Sequence, residues 1–433
     1  MTDAVAHHAA LDRRMVAAAR GIRVLALASW PASVQRRFLD EAMAGRLALP
    51  RVVYPRQDFS DARRELDAIA READPSHPLG IYLADSSRQW SIAAGLVESL
   101  GTPAVTAHSL AIYGGPGERL PGSDLTARDA ARHFIGIADE FDTELIAPHE
   151  QVEISATALQ LWLQGELDQF FAGRVVQVQL DPELIAKAAA GAYRIRLRSS
   201  AAYTDYDRHQ LLQHEALVHS LTALNGREQP VMGSLAMSSP RITTVQEGLA
   251  TLAEQITGNI DIERLKRIGL RIEAVALALD GADFVEVYRY FLDAGQTAAE
   301  SFASAQRVFR GVPVEGGDAF TKDTVYLRGL IDVHTFFRRA LGAGRLRLCR
   351  LLFAGKMTLE DVIRFEPLFD DGTLLAPRWL PPWVARANGL AGMLAFSLFA
   401  NRIRLGAIDG PTGTGPLDPS PAQAAAAGSG PGG

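Results

Sequence analysis

Cysteine is almost missing. Cys349 stands alone in 433 residues, so no disulfide can close within the chain and no multi-thiolate metal site can form. Any metal must be held by histidine and carboxylate. Long apolar runs are missing too. The longest near the C-terminus, Gly389 to Ala400, falls short of the roughly 20 residues a bilayer requires, and it reads as a buried helix. The segment Met1 to Arg20 has scattered alanines but no continuous apolar stretch of the secretion-signal kind. Positive charge is not in excess either. Forty-four Lys and Arg against 50 Asp and Glu leave a net charge of −6, which argues against broad nucleic-acid binding. The expectation is a soluble cytoplasmic protein with neither a nucleic-acid nor a membrane partner.

Phosphate-binding loops are absent as well. Tyr113 to Asp124, YGGPGERLPGSD, is rich in glycine and proline, but it lacks GxxxxGK[ST] and follows no clear strand. Gly355-Lys356 fails because Arg350 and Met357 occupy the positions that need Gly and Ser or Thr.

Apolar residues at 48% and charged residues at 22% are ordinary globular proportions. The length allows two domains or one elaborated core. Residues 1–18 read as a flexible or weakly helical start. Residues 19–148 read as an α/β region packed on the rest, with a strand or buried segment at Gly21 to Ser29, helical periodicity over 32–75, a short strand at Leu79 to Leu83 and a helix ending at Gly101. Over 149–408 the pattern predicts a helix from Glu153 to Phe171 and strands at Val175 to Leu180 and Tyr193 to Arg198. A helix starting near Thr204 follows, then mostly helix from Thr244 to Phe365. Residues 409–433 are Gly, Pro, Ala and Ser with almost no large apolar side chain, and are expected to be disordered. The fold expectation is α+β, mostly helical, with a small mixed sheet.

One motif carries chemistry. Gln210 to Gly226 reads QLLQHEALVHSLTALNG, and within it His214-Glu215-x-x-x-His219 is a variant of the zinc-peptidase signature. Two imidazoles on one helix face bind zinc, and the glutamate beside the first can act as base toward an activated water. The spacing is unusual. Histidines four apart lie about 40° apart around an ideal helix, whereas five apart is about 140°, too far to share a metal. A one-residue π-bulge between Glu215 and His219 would absorb the excess. Leu221, Leu224 and Asn225-Gly226 indicate that the helix continues to a stop there.

A third ligand is needed. Glu247, in TTVQEGLATLAEQ, could complete a His₂Glu set from the next helix. Alternatively, Thr244-x-x-Glu247 is a capping box, with the carboxylate turned back on the backbone. Glu254 is a second candidate, either as ligand or as a support behind the ligands.

HEALVH, ALNGREQP (Ala223 to Pro230) and QEGLA (Gln246 to Ala250) together closely resemble the bacterial flavohemoglobin expression-modulating QEGLA motif proteins. These are similar to the microtubule-associated tyrosine carboxypeptidases, which remove a C-terminal tyrosine from tubulin. The resemblance runs from about Trp30 to about Arg404. It implies His214, His219 and Glu247 as zinc ligands and Glu215 as general base of a zinc metallopeptidase, with a peptide or protein C-terminus as substrate. It also leaves an alternative, a zinc-containing regulatory or binding protein linked to flavohemoglobin expression and without peptidase activity. A structural site has no use for a glutamate beside the first ligand, so Glu215 favours catalysis.

Phe320 to Gly329, FTKDTVYLRG, resembles a recurrent segment of the same family. Tyr326 is a candidate donor to a developing oxyanion. Lys322 or Arg328 could hold a substrate carboxylate, or all three could lie on a solvated, ion-paired helix. Arg227 and Gln229 are further pocket candidates. If Tyr193 to Arg198 is an edge strand, it could pair with an extended peptide and offer Arg194, Arg196 and Arg198 to acidic side chains. His149, His209 and His334 read as packed or exposed histidines outside the site.

Overall fold

The structure, a computed structural model, describes residues 2–141, 152–184 and 186–402; His149 and the tail 409–433 lie outside them. The start of the chain corrects the first expectation. Residues Asp3–Ala19 form helix α1, capped by the Thr2 side chain, which accepts from the Val5 amide. His8, Leu11, Asp12, Met15 and Ala19 recur at helical spacing and are all buried. Two of the five are polar, which hid the stripe from a hydrophobicity reading. Both find partners inside the protein: His8 bonds the Ala4 carbonyl and one oxygen of Asp12 accepts from the Ser234 amide.

The next region is helical where α/β was expected. It comprises α2 (Val24–Leu27), α3 (Ala32–Met43), α4 (Ser60–Glu72), α5 (Pro78–Glu98), α6 (Ala104–Tyr113) and α7 (Ala127–Asp139). Among its described residues there is no strand, only an isolated bridge between Arg119 and Thr126. The strand expected at Gly21 to Ser29 is the single turn of α2. The strand expected at Leu79 to Leu83 is the opening of α5, where Pro78 in the first turn favours a helix start.

The sheet comes later. A two-residue strand β1 (Ile154–Ser155) leads into α8 (Ala156–Phe170), followed by β2 (Gln177–Asp181), β3 (Ala188–Ala190), β4 (Arg194–Arg198) and β5 (Ala202–Tyr203). β4 is the central strand, parallel to β2 and antiparallel to β3, while β1 pairs with β5. The edge-strand expectation for 193–198 therefore fails. Ile195 and Leu197 have to be buried against Leu159, Leu163 and Leu167 of α8, and a strand buried that deeply is paired on both sides.

Thr204 and Asp207 form a capping box that starts α9 (Asp205–Leu211). The chain continues without a break through a π-helical segment, Leu212–Ser220, into α10 (Leu221–Arg227). Then follow α11 (Thr243–Ile256), α12 (Ile262–Leu279), α13 (Phe284–Asp293), α14 (Ala298–Val308), a 3₁₀ turn at Thr321–Thr324 and α15 (Val325–Gly342). The last helices are α16 (Arg347–Leu351), α17 (Leu359–Asp370), α18 (Pro382–Ala385) and α19 (Ala387–Ala400). The Gly389 to Ala400 run is a helix, but not a buried one. Leu390 and Leu394 are covered, whereas Met393, Phe396 and Phe399 are exposed. Among the described residues no helix is long and apolar enough to cross a membrane.

One continuous apolar core joins α1, α5 and α6 to α11–α15 and α17, with Leu79, Leu83, Leu249, Leu252, Phe337 and Phe365 inside it. A smaller core lies between α8 and the sheet. Phe170, Leu212 and Trp379 pack against both. The tightest crossing in the large core is between α11 and α15. A Cβ built on Gly248 would lie 2.1 Å from the Gly329 carbonyl carbon, and one on Gly329 would lie 2.1 Å from the Thr244 oxygen. Only glycine permits this approach.

Gly248→Ala is expected to destabilise the protein by about 1–3 kcal/mol, because overpacking against backbone outweighs alanine's better helix propensity. Thermal unfolding checks this. An unchanged Tm would mean that α11 and α15 can separate at no cost.

Candidate metal centre

The π-helical segment resolves the spacing problem. With an extra residue between Glu215 and His219, the His214 and His219 rings meet edge-on, their centroids 4.8 Å apart. An ideal helix would have turned them apart. Glu247 comes from α11. Its Oε2 lies 3.4 Å from His214 Nε2 and 3.7 Å from His219 Nε2. One ligand atom from each of the three residues lies within 4.8 Å of the others. The capping-box alternative is not formed: α11 starts at Thr243 with Ile242 in the cap position and no side-chain cap, which puts Glu247 in the second turn facing the histidines.

Each of the three candidate ligands is held from behind. Glu254 Oε1 sits 2.6 Å from His214 Nδ1, so it fixes the ring with Nε2 turned to the common centre. Arg264 donates to both oxygens of Glu254 at 3.1 Å, and Gln210 donates to Oε1 at 2.8 Å. Glu254 thus stands behind His214, outside the cluster of His214, His219 and Glu247. On the other histidine, Gln246 Oε1 lies 3.4 Å from His219 Nδ1 and accepts from Thr222 Oγ1 at 3.0 Å. Lys322 Nζ donates to Glu247 Oε1 at 3.0 Å, leaving Oε2 for the centre.

The electrostatics follow from this pairing. Burial opposes a charged Glu254, but Arg264 and His214 outweigh it and hold the carboxylate at about 2. Burial likewise opposes a charged Glu247, and Lys322 and the two imidazoles hold it well below the usual range. Burial works against a protonated His214, yet Glu247 and Glu254 raise it to about 10. A metal ion at the centre would therefore replace a proton, as expected when two imidazoles and a carboxylate face one point. This donor set fits a divalent metal. Glu215, half-buried beside His214, has no hydrogen bond or ion pair among the described residues.

The other sequence candidates separate. Tyr326 stays with the centre, with Lys322 Nζ over its ring at 5.1 Å. Lys322 belongs to the 3₁₀ turn and Tyr326 to α15, so they share no helix face but still meet. Arg328 pairs with Glu118 and lies 3.7 Å from Asp332. Arg227 stacks over Tyr193 at 5.1 Å and lines a groove of about 540 Å³ on the sheet with Gln177, Gln179, Arg194 and Arg196. Gln229 is structural, since its amide ties the Ala354 and Leu375 carbonyls together. Asn225 does the same for Phe353 and Trp379, which explains why Asn-Gly sits inside α10 rather than past its end. His209 packs on Trp162 and His334 contacts Ser397.

Sequence reasoning missed Lys356. It is buried, donates to Ser238 Oγ at 2.8 Å, and burial lowers it to about 8 within reach of Glu247 and Glu215. No motif marks it. The same holds for Arg271 and Arg310, half-buried cations whose charges act on Tyr326.

Two imidazoles, a carboxylate and a free glutamate next to the first imidazole form the donor pattern of metal-dependent hydrolases. The chain belongs to the microtubule-associated tyrosine carboxypeptidase family, whose model matches residues 36–402. This bears out the likeness to those carboxypeptidases drawn from HEALVH and QEGLA, and it places the chain among hydrolases of peptide or protein substrates. No curated protein matches the chain.

Glu254→Gln is expected to weaken metal binding 10- to 100-fold, on the order found for partners behind metal-ligating histidines. Competition with a chromogenic chelator on folded protein measures it. Wild-type affinity would remove Glu254 from the support of His214.

Proposed function

We propose that the protein is a zinc-dependent carboxypeptidase that removes the last residue of a peptide or protein chain, of tyrosine type by its family. The observation that supports this most is the convergence of His214, His219 and Glu247 beside an unpaired Glu215. His₂Glu is a donor set that suits zinc with a position left open. When bound, zinc supplies Lewis acidity toward a carbonyl oxygen and makes a water more acidic.

The chain's own residues do the rest. Glu215 takes the proton of the attacking water and passes it to the departing amine nitrogen, a role that needs a carboxylate not committed elsewhere. Glu254 and Gln246 keep the imidazoles turned with Nε2 inward. Lys322 keeps Glu247 ionised and aims one oxygen at the centre. Tyr326, beside Lys322, offers a hydroxyl hydrogen bond to the oxyanion that develops on the scissile carbonyl.

Glu215→Gln is expected to retain stoichiometric zinc and to lose at least about 10²-fold in turnover. The assay is release of C-terminal residues from a diverse peptide library, with and without chelator. Full activity in the variant would remove Glu215 as base. The absence of any chelator-sensitive cleavage by the wild type would favour a binding protein that keeps its metal.

A further inference from the structure

Helix α19 carries no charged side chain, and it leaves large apolar residues in water along one side. Phe396 is 73% exposed and Phe399 62%, while no other phenylalanine among the described residues exceeds the 38% of Phe141. Met393 is exposed beside them. The three recur at every third position and so share a face, and Leu390 and Leu394 on the opposite face are buried. Neighbouring large apolar side chains on one exposed face mark an interaction surface, unlike apolar residues scattered singly.

Contacts on the inner side hold this face outward. Ser397 Oγ lies 3.4 Å from His334 Nε2 of α15. Leu390 lines a groove of about 440 Å³ that α19 shares with α16 and α18. Leu346, Leu380 and Val384 line it too, and Arg347 and Arg350 of α16 stand in its wall.

The charge around the helix is of one sign. From Gly372 to Arg402 the chain has no Asp or Glu, but it has Arg378, Arg386 and Arg402. Arg386 immediately precedes α19 and Arg402 follows its cap residue Asn401, so they bracket an apolar helix about 21 Å long. Arg347 pairs with Asp370, and Arg378 lies 3.7 Å from Glu228. Arg350, Arg386 and Arg402 are exposed and have no ion-pair partner among the described residues.

An apolar face bordered by unpaired arginines fits a partner that is apolar within and anionic at its surface. A second copy on this face would set the arginines against one another, with no carboxylate in the segment to answer them. We propose that α19 docks on the surface of a bilayer that contains anionic phospholipid. Met393, Phe396 and Phe399 enter the boundary between headgroups and acyl chains, and Arg350, Arg386 and Arg402 meet lipid phosphates. The attachment is peripheral, because a helix of about 21 Å is shorter than the roughly 30 Å hydrocarbon core. The contact of Ser397 with His334 lies eight residues from Tyr326, about 12 Å along α15. The docking face is therefore separate from the metal centre and does not depend on the carboxypeptidase reading.

The test is co-sedimentation of the full chain with vesicles of phosphatidylcholine alone and of phosphatidylcholine mixed equally with phosphatidylglycerol. The mixed vesicles are expected to bind at least about tenfold more tightly, and added salt should weaken that binding. Phe396→Ser with Phe399→Ser should weaken it about tenfold or more. Arg350→Glu with Arg386→Glu should do the same and remove the preference for anionic lipid. Both pairs are exposed, so the Tm should stay within a degree or two of the wild type, on the order expected for surface substitutions. Phe396→Trp should keep binding and add emission that shifts to the blue only on mixed vesicles. Equal binding of the wild type to both vesicle types, or none to either, overturns the proposal. So does wild-type binding by either double variant. A wild-type dimer in sedimentation velocity that Phe396→Ser with Phe399→Ser turns into a monomer would assign the face to a second copy and overturn it too.

Discussion

The centre depends on a backbone contact. Where Gly248 of α11 meets Gly329 of α15, the two helices approach closer than any side chain would allow. Glu247 precedes Gly248, and Tyr326 and Lys322 lie three and seven residues before Gly329. The crossing therefore fixes the distance from Glu247 to Lys322. It also sets where α12, packed beside them, presents Arg264 to Glu254. A wider crossing would leave Lys322 short of Glu247.

Around that crossing the charges alternate. From Arg264 the order runs through Glu254 and His214 to the centre, then out through Glu247 to Lys322. Each ion taken from water pays its desolvation cost through neighbours of opposite sign on both sides. The practical result is orientation. A carboxylate behind one imidazole, an amide behind the other and an ammonium behind the glutamate leave each ligand one free atom, aimed inward. Partners of this kind set the orientation of metal-binding side chains.

Much of this was legible in the sequence, for identifiable reasons. HEALVH announced both imidazoles of the cluster and the need for a π-segment, because periodicity fixes angles around a helix. Strands β2 and β4 showed as alternation. Other features left no mark. Helix α1 hid behind His8 and Asp12, polar residues whose partners come from elsewhere in the fold. The central position of β4 depends on partners that local pattern does not name. Glu247 fitted a cap as well as a ligand until α11 began at Thr243. Lys356, Arg271 and Arg310 sit in no motif, and their meaning lies in what surrounds them, which only the assembled helices reveal.

The π-helical segment has a consequence for how such a site can vary. It absorbs one residue and returns α9 and α10 to a common phase, so the downstream helix is unaware of the insertion. Removing that residue would turn the motif into the four-residue spacing of an ordinary α-helix while leaving Asn225 and Gly226 at the same packing positions, one residue nearer in sequence only. Two metal-site signatures that look distinct when written as letters are therefore separated by a single local slip of hydrogen-bond register.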